Sequence, residues 1–203
     1  MLVPFNPDHP QPRLIAQVVD CLKNGGVIAY PTDTTYGLGC SIFNKKGLER
    51  IYQMKQRDKR KPFSFICADL SEVSRYARLT NLAFKLMKRY LPGPYTFVLE
   101  ASREVPDLLL TRQKTAGIRM PDNPICLALV QGLGVPIVTT SANLSGEDPV
   151  GDPLEIKAQF GHALDLIVDG GLLATDVSSV ISLVGDRIEL LREGAGDISW
   201  LTS

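Results

Sequence analysis

The chain has 203 residues, with 22 lysines and arginines against 22 aspartates and glutamates, and 44% of it is hydrophobic. A formal net charge of zero excludes a protein that coats nucleic acid or anionic membrane through its whole-molecule field, while leaving local patches open. The length supports one sizeable core, and the composition is that of a globular domain.

In chain order, residues 1–13 carry four prolines and no apolar core. They match neither a signal nor a transit peptide, and residues 1–10 read as an extended arm. Leu14, Ile15, Val18, Val19 and Leu22 recur at helical spacing before Gly25-Gly26, which predicts a helix over 11–24 and a strand over 27–30. Leu48, Ile51 and Tyr52 predict a helix over 45–56, the apolar run at 63–67 a strand, and Asp69 with Glu72 a helix start. A helix over 81–91 stops at Pro92-Gly93-Pro94, and the aromatic and β-branched residues at 95–100 follow as a strand. Further strands are expected at 116–120, 137–140, 166–168, 179–183 and 187–191, with helices near 123–133 and 153–160.

This alternation predicts an α/β fold, and the short Val184-Gly185-Asp186 connection makes the sheet mixed. With no internal repeat and no long linker, residues 1–203 read as a single domain. No apolar run reaches the roughly 18 residues of a membrane span, so a cytoplasmic protein is expected. Cys21, Cys40, Cys67 and Cys126 form no CxxC pair and read as reduced structural thiols, while His9 and His162 are too few for a histidine metal site or a Ser-His-Asp triad.

Four segments carry chemistry. Lys55, Arg57, Lys59, Arg60 and Lys61 fall within seven residues and are opposed only by Asp58. Such a run is either a solvated charged face or a site for polyphosphate or RNA. The segment Pro31-Thr32-Asp33-Thr34-Thr35-Tyr36-Gly37-Leu38-Gly39 leaves a strand with hydroxyls and glycines, reading as a tight turn able to hold a small polar ligand. It lacks the third glycine of a dinucleotide fingerprint, and the chain has no GxxxxGK[ST] segment. Thr139-Thr140-Ser141-Ala142-Asn143-Leu144-Ser145-Gly146 leaves another strand as a run of small hydrogen-bonding residues. Arg119 sits within a strand and Arg192 ends one, positions where a guanidinium usually has an anionic partner.

In this order and spacing, with Lys55-x-Arg57, Lys61-Pro62, Pro92-Gly93-Pro94-Tyr95-Thr96, Arg119-Met120-Pro121, Ser141-Ala142-Asn143 and Leu191-Arg192-Glu193-Gly194, the chain resembles the YrdC/YciO family. These are the threonylcarbamoyl-AMP synthases that begin N6-threonylcarbamoyladenosine synthesis on tRNA. The resemblance spans nearly the whole chain. It implies a twisted α/β sheet with a concave, positively charged cavity, and a reaction of ATP, L-threonine and bicarbonate that releases pyrophosphate. By position, it implies that Lys55, Arg57, Lys61, Ser141, Asn143 and Arg192 face ATP, with Lys55, Arg57 and Ser141 closest to the chemistry. It places Thr32, Thr34, Tyr36, Thr115, Arg119, Thr139 and Ser178 around threonine.

Such a displacement at phosphorus needs positioning and charge neutralisation more than a protein nucleophile. Magnesium is expected to arrive with ATP, with no dedicated metal site and no bound organic cofactor. Two features lean toward the YciO branch: Ile66 stands where many synthases carry histidine, and the segments Asn6-Pro7-Asp8-His9-Pro10 and Phe65-Ile66-Cys67-Ala68-Asp69 resemble that branch. Its alternative role is a module binding double-stranded RNA, tRNA or nucleotide. Because the chain ends at Ser203, transfer to tRNA is expected to use separate proteins.

Overall fold

A computed structural model of the chain describes residues 1–58, 61 and 63–201. Side-chain caps set most of the helix starts. The Asn44, Asp69, Asn123 and Asp152 side-chain oxygens accept from the backbone N–H groups of Gly47, Glu72, Cys126 and Leu154 at 2.7 to 3.0 Å, and Thr80 Oγ1 accepts from Ala83. They open α2 (Lys45–Met54), α3 (Leu70–Tyr76), α5 (Pro124–Leu133), α6 (Pro153–Phe160) and α4 (Asn81–Tyr90). Proline occupies the first turn of α1 (Pro12–Lys23), α5 and α6, where its missing N–H costs nothing. At α3 the expected Asp69–Glu72 start is present, with Glu72 also accepting from the Ala68 N–H at 2.6 Å.

The strands are β1 (Leu2–Pro4), β2 (Ile28–Tyr30), β3 (Gly37–Gly39), β4 (Ser64–Ile66), β5 (Tyr95–Glu100), β6 (Thr115–Arg119), β7 (Ile137–Ser141), β8 (Leu166–Asp169), β9 (Ser179–Ser182) and β10 (Glu189–Arg192). They form one sheet in the order β1-β8-β2-β3-β7-β4-β6-β5-β9-β10. The sheet is mixed: β1/β8, β8/β2, β4/β6 and β5/β9 are parallel, and the other neighbours antiparallel. Among the described residues no helix is long and apolar enough to cross a membrane.

Two segments differ from their sequence reading. The N-terminal arm is in part an edge strand, with Val3 opposite Val168 in β8. The Gly37-Leu38-Gly39 segment is a strand between β2 and β7, where a turn was expected. Its glycines explain both outcomes. A Cβ on Gly39 would collide with the Val138 carbonyl and the Tyr30 ring, so only glycine lets the three strands close, yet glycine weakens any strand signal.

One face of the sheet is covered from β2 to β9. Leu38, Phe65, Phe97, Ile118, Val138 and Ile181 pack there with residues of α2, α3, α4 and α6. Full burial of each such side chain contributes roughly 1.5–3 kcal/mol. On the opposite face α1 and α5 cover only part of the sheet, closing over Ile28, Tyr30, Ile66, Ile137, Leu166 and Val168 with Val18, Leu22, Leu129 and Val130. Beyond them β4, β6, β5 and β9 carry a cavity.

Candidate active site

The cavity has a volume of about 300 Å³. Its floor follows from strand alternation. Phe65, Phe97, Ile118 and Ile181 point into the covered core, so their neighbours Ser64, Thr96, Val98, Gly117 and Val180 point the other way and line the cavity. A side chain on Gly117 would run into Ser64 Oγ and come within 3.1 Å of the Thr96 methyl, so glycine keeps the floor deep.

One wall is the turn between β2 and β3. Thr32 lies outside the lining and organises that turn. Its Oγ1 donates to the Thr35 carbonyl at 2.6 Å and accepts from the backbone N–H groups of Thr34 and Thr35. Thr34, Thr35 and Tyr36 then reach the cavity. The Tyr36 hydroxyl donates to the Gly171 carbonyl at 2.8 Å and accepts from the Gly170 N–H at 2.9 Å, tying the turn to the loop after β8. Burial raises that phenol to about 12.

Among the described residues, three guanidiniums enter the lining, from Arg57, Arg119 and Arg192, and no Asp or Glu side chain does. Arg57 donates through Nε to the Lys61 carbonyl at 2.9 Å and lies 5.3 Å above the Phe63 ring, which stacks on Tyr52. Arg119, at the end of β6, donates through Nη2 to Asp33 Oδ1 at 2.8 Å and Thr34 Oγ1 at 3.0 Å. Its Nε is buried without an acceptor.

Arg192 owes its direction to a bulge. Leu190 pairs with core-facing Ile181, but Arg192 pairs with cavity-facing Val180, leaving Leu191 as the extra residue that turns the guanidinium inward. Its Nη2 donates to the Ser178 carbonyl at 2.8 Å, and Ser178 Oγ is 2.8 Å from Thr96 Oγ1. The segment after Arg192 folds back, with Ala195 N–H on the Val177 carbonyl at 2.8 Å and Ser179 Oγ on the Gly196 carbonyl at 2.7 Å. The Arg192 pKa is lowered by burial and by the charges of Arg119 and Arg57, so the guanidiniums repel one another across the cavity. An arrangement of that kind favours an anion.

Lys55 behaves differently from its expected role. It is 1% exposed and outside the lining, and its Nζ donates to the Ser141 carbonyl at 2.5 Å, the Asn143 carbonyl at 2.7 Å and Asn143 Oδ1 at 2.8 Å. Burial and the Arg57 charge pull its pKa down to about 7. Three oxygens, however, need three N–H donors, which only the ammonium has, so the nest is built for the charged form. Asn143, also outside the lining, completes it by accepting from Ser141 Oγ at 2.6 Å. The Lys-x-Arg and Ser-Ala-Asn segments thus meet, but Lys55 and Asn143 support the wall on which Ser141 sits.

Of the residues expected from sequence, Arg57, Ser141, Arg192, Thr34, Tyr36, Arg119, Thr139 and Ser178 line the cavity. Lys55, Asn143, Thr32, Thr115 and Lys61 do not: Thr115 instead pairs its hydroxyl with that of Thr111 at 2.7 Å, and Lys61 is exposed. Lys59, Arg60 and Pro62 lie outside the described residues. Ser64, Thr96, Thr111 and Gly117 were missed as site residues, although a small or hydroxylic residue at alternate positions of an otherwise apolar strand is a readable signal. Ile66 is fully buried beneath α1 and α5, with Arg119 opposite it in the neighbouring strand.

Residues 20–194 match the model of the Sua5/YciO/YrdC family, described as "Telomere recombination". The uncharacterized protein YciO of Escherichia coli is 46% identical over 196 residues, covering 96% of this chain and 95% of that protein. Its crystal structure superposes with a TM-score of 0.94 at 44% identity, covering 98% of each chain. The threonylcarbamoyl-AMP synthase of Vibrio vulnificus is 36% identical over 159 residues, 77% of this chain and 86% of the synthase. The structure of P. abyssi Sua5 complexed with L-threonine superposes with a TM-score of 0.90 at 29% identity, covering 96% of this chain and 57% of Sua5. With the family model matching residues 20–194, and with both YciO and synthase relatives matching across most of their length, this chain belongs to the Sua5/YciO/YrdC family.

Proposed function

We propose that the cavity joins L-threonine, bicarbonate and ATP into threonylcarbamoyl-AMP, for N6-threonylcarbamoyladenosine formation on tRNA. The observation that carries this reading is a hydroxyl-rich cavity with three guanidiniums and no lining carboxylate. The threonine amine and bicarbonate condense to a carbamate with loss of water. A carbamate oxygen then attacks the α-phosphorus of ATP, and the bond from that phosphorus to the bridging oxygen breaks as pyrophosphate leaves. Carbamate and triphosphate are both anions, so bringing them together needs fixed positive charge.

Arg57 and Arg192 serve the triphosphate. Arg119 receives the threonine carboxylate, with Thr34, Thr139 and Ser178 nearby, and Ser141 sits beside the reacting groups. Lys55 becomes a positioning residue that holds the 141–143 segment. Magnesium brought with ATP would be held by phosphate oxygens and water, consistent with a wall that offers hydroxyls and guanidiniums and no carboxylate.

The test is incubation of the purified protein with ATP, radiolabelled threonine and bicarbonate over a range of magnesium. Threonylcarbamoyl-AMP should form, and Arg57→Ala and Ser141→Ala should each lower the yield without unfolding the protein. Failure to form it refutes the synthase reading. Burial of Ile66 as pure core, together with the 46% identity to YciO, favours a second reading in which the chain binds nucleotide, double-stranded RNA or tRNA without turnover. RNA affinity that falls steeply with salt, without product, would establish that reading.

A further inference from the structure

The three guanidiniums of the cavity are not electrically equivalent. Arg119 is paired with Asp33 at 2.8 Å, and the two side chains are 9% and 8% exposed. Arg192 is met instead by the neutral carbonyl and hydroxyl oxygens of Ser178. Asp33 is not part of the cavity lining, whereas its neighbours Thr34 and Arg119 are. Its Oδ2 is held from outside by the Asp122 N–H at 3.0 Å, so one oxygen faces the guanidinium and the other is anchored to the loop after β6. The carboxylate therefore neutralises Arg119 without occupying the ligand space.

We propose that Asp33 is a specificity-determining residue: by offsetting the charge of Arg119, it makes this end of the cavity accept the carboxylate of a net-neutral amino acid and leaves polyanions to the Arg192 end. The physics is a difference in net charge between the two ends of one cavity. An uncompensated guanidinium attracts phosphate and carboxylate alike, while a compensated one keeps its hydrogen-bond geometry and loses its long-range pull on anions. Arg119 still reaches the lining, so it remains a donor for a ligand oxygen there. Segregation of this kind would keep a second phosphate group out of the amino-acid subsite, where it would block threonine. The inference rests on the reading of the cavity as a joint site for an amino acid and a polyphosphate.

Competition binding on the full chain separates the two ideas. With the wild-type protein, orthophosphate should displace inorganic triphosphate and leave L-threonine bound. Asp33→Asn keeps an oxygen for the Asp122 N–H and removes the charge, together with the acceptor that faces Arg119 Nη2. It should let orthophosphate compete with threonine about tenfold more effectively, with triphosphate affinity changed by no more than about twofold. Asp33→Glu should restore the wild-type discrimination, which a purely structural role for this residue would not require.

The proposal is overturned if folded Asp33→Asn discriminates as the wild type does. Should that variant not fold, the wild type decides: orthophosphate displacing threonine as readily as triphosphate overturns the proposal without any variant. If the wild type binds neither threonine nor triphosphate, the reading of the cavity itself falls.

Discussion

Strands β4 and β7 each cross from one kind of surface to another within two residues. Ile66 and Ile137 lie under α1 and α5, while Ser64 and Thr139, two positions along the same faces, line the open cavity. On the other side of the sheet no such change occurs, and Phe65 and Val138 belong to one continuous core. The closed part is filled with branched aliphatic groups because two helices exclude water there. The open part replaces them largely with hydroxyls, two glycines and three guanidiniums, and its polar groups would be costly to bury under a helix without partners. The cavity therefore lies where the helix cover stops.

The largest expected effect comes from filling the open half. Gly117→Val places a branched side chain on the floor against Ser64 and Thr96. Nucleotide and threonine binding should fall more than about a hundredfold by steric exclusion, while the clash with Ser64 costs about 1–3 kcal/mol of stability and leaves the protein folded. Retained binding in a folded Gly117→Val protein would show that ligands do not use this floor.

A smaller effect separates support from contact at the edge of the open half. Lys55→Met removes the three donors of the 141–143 nest and leaves two carbonyls and an amide oxygen with lost bonds. Unfolding free energy should drop by about 3 kcal/mol, measured by urea titration, and the Ser141 wall should loosen. If stability is unchanged and only nucleotide affinity falls, Lys55 contacts ligand directly and its nest is a resting arrangement.

The same contrast explains what the sequence made legible. Helices with a cap and an apolar stripe were visible, as at Asp69 and at Leu14 to Leu22, because a local cap and a 3.6-residue period leave marks in consecutive residues. The guanidiniums of Arg119 and Arg192 were visible because a strand is an unusual place for a charge. The β3 strand was hidden by the glycines that let it fit, and β1 by its prolines, since its pairing with β8 is made across the whole length of the chain. The inward turn of Arg192 depends on the bulge at Leu191, a register effect that no local pattern records. The nest around Lys55 was hidden because its three partners come from a segment 86 to 88 residues away, and charge density alone does not distinguish a cation facing ligand from one buried on carbonyls.

Tyr36 offers the finest test, because it touches both regimes: the residue borders the cavity, while its ring is buried in the covered core and its hydroxyl is held by Gly170 and Gly171. Tyr36→Phe loses one donated and one accepted bond and should cost about 1–2 kcal/mol near neutral pH. The pH dependence has a defined sign. The folded phenol is raised to about 12 from an ordinary value of 10.0, so the unfolded chain releases this proton first. The stabilisation that tyrosine provides is complete below pH 10 and is lost as pH rises toward 12. Other buried tyrosines also destabilise the alkaline fold, but they are common to both proteins and cancel in the difference. The stability gap between wild type and Tyr36→Phe should therefore narrow between pH 10 and 12 in paired urea titrations. A gap that stays constant across this window would mean that the phenol ionises equally well in the folded protein, and that its bonds to the 170–171 loop do not hold the turn.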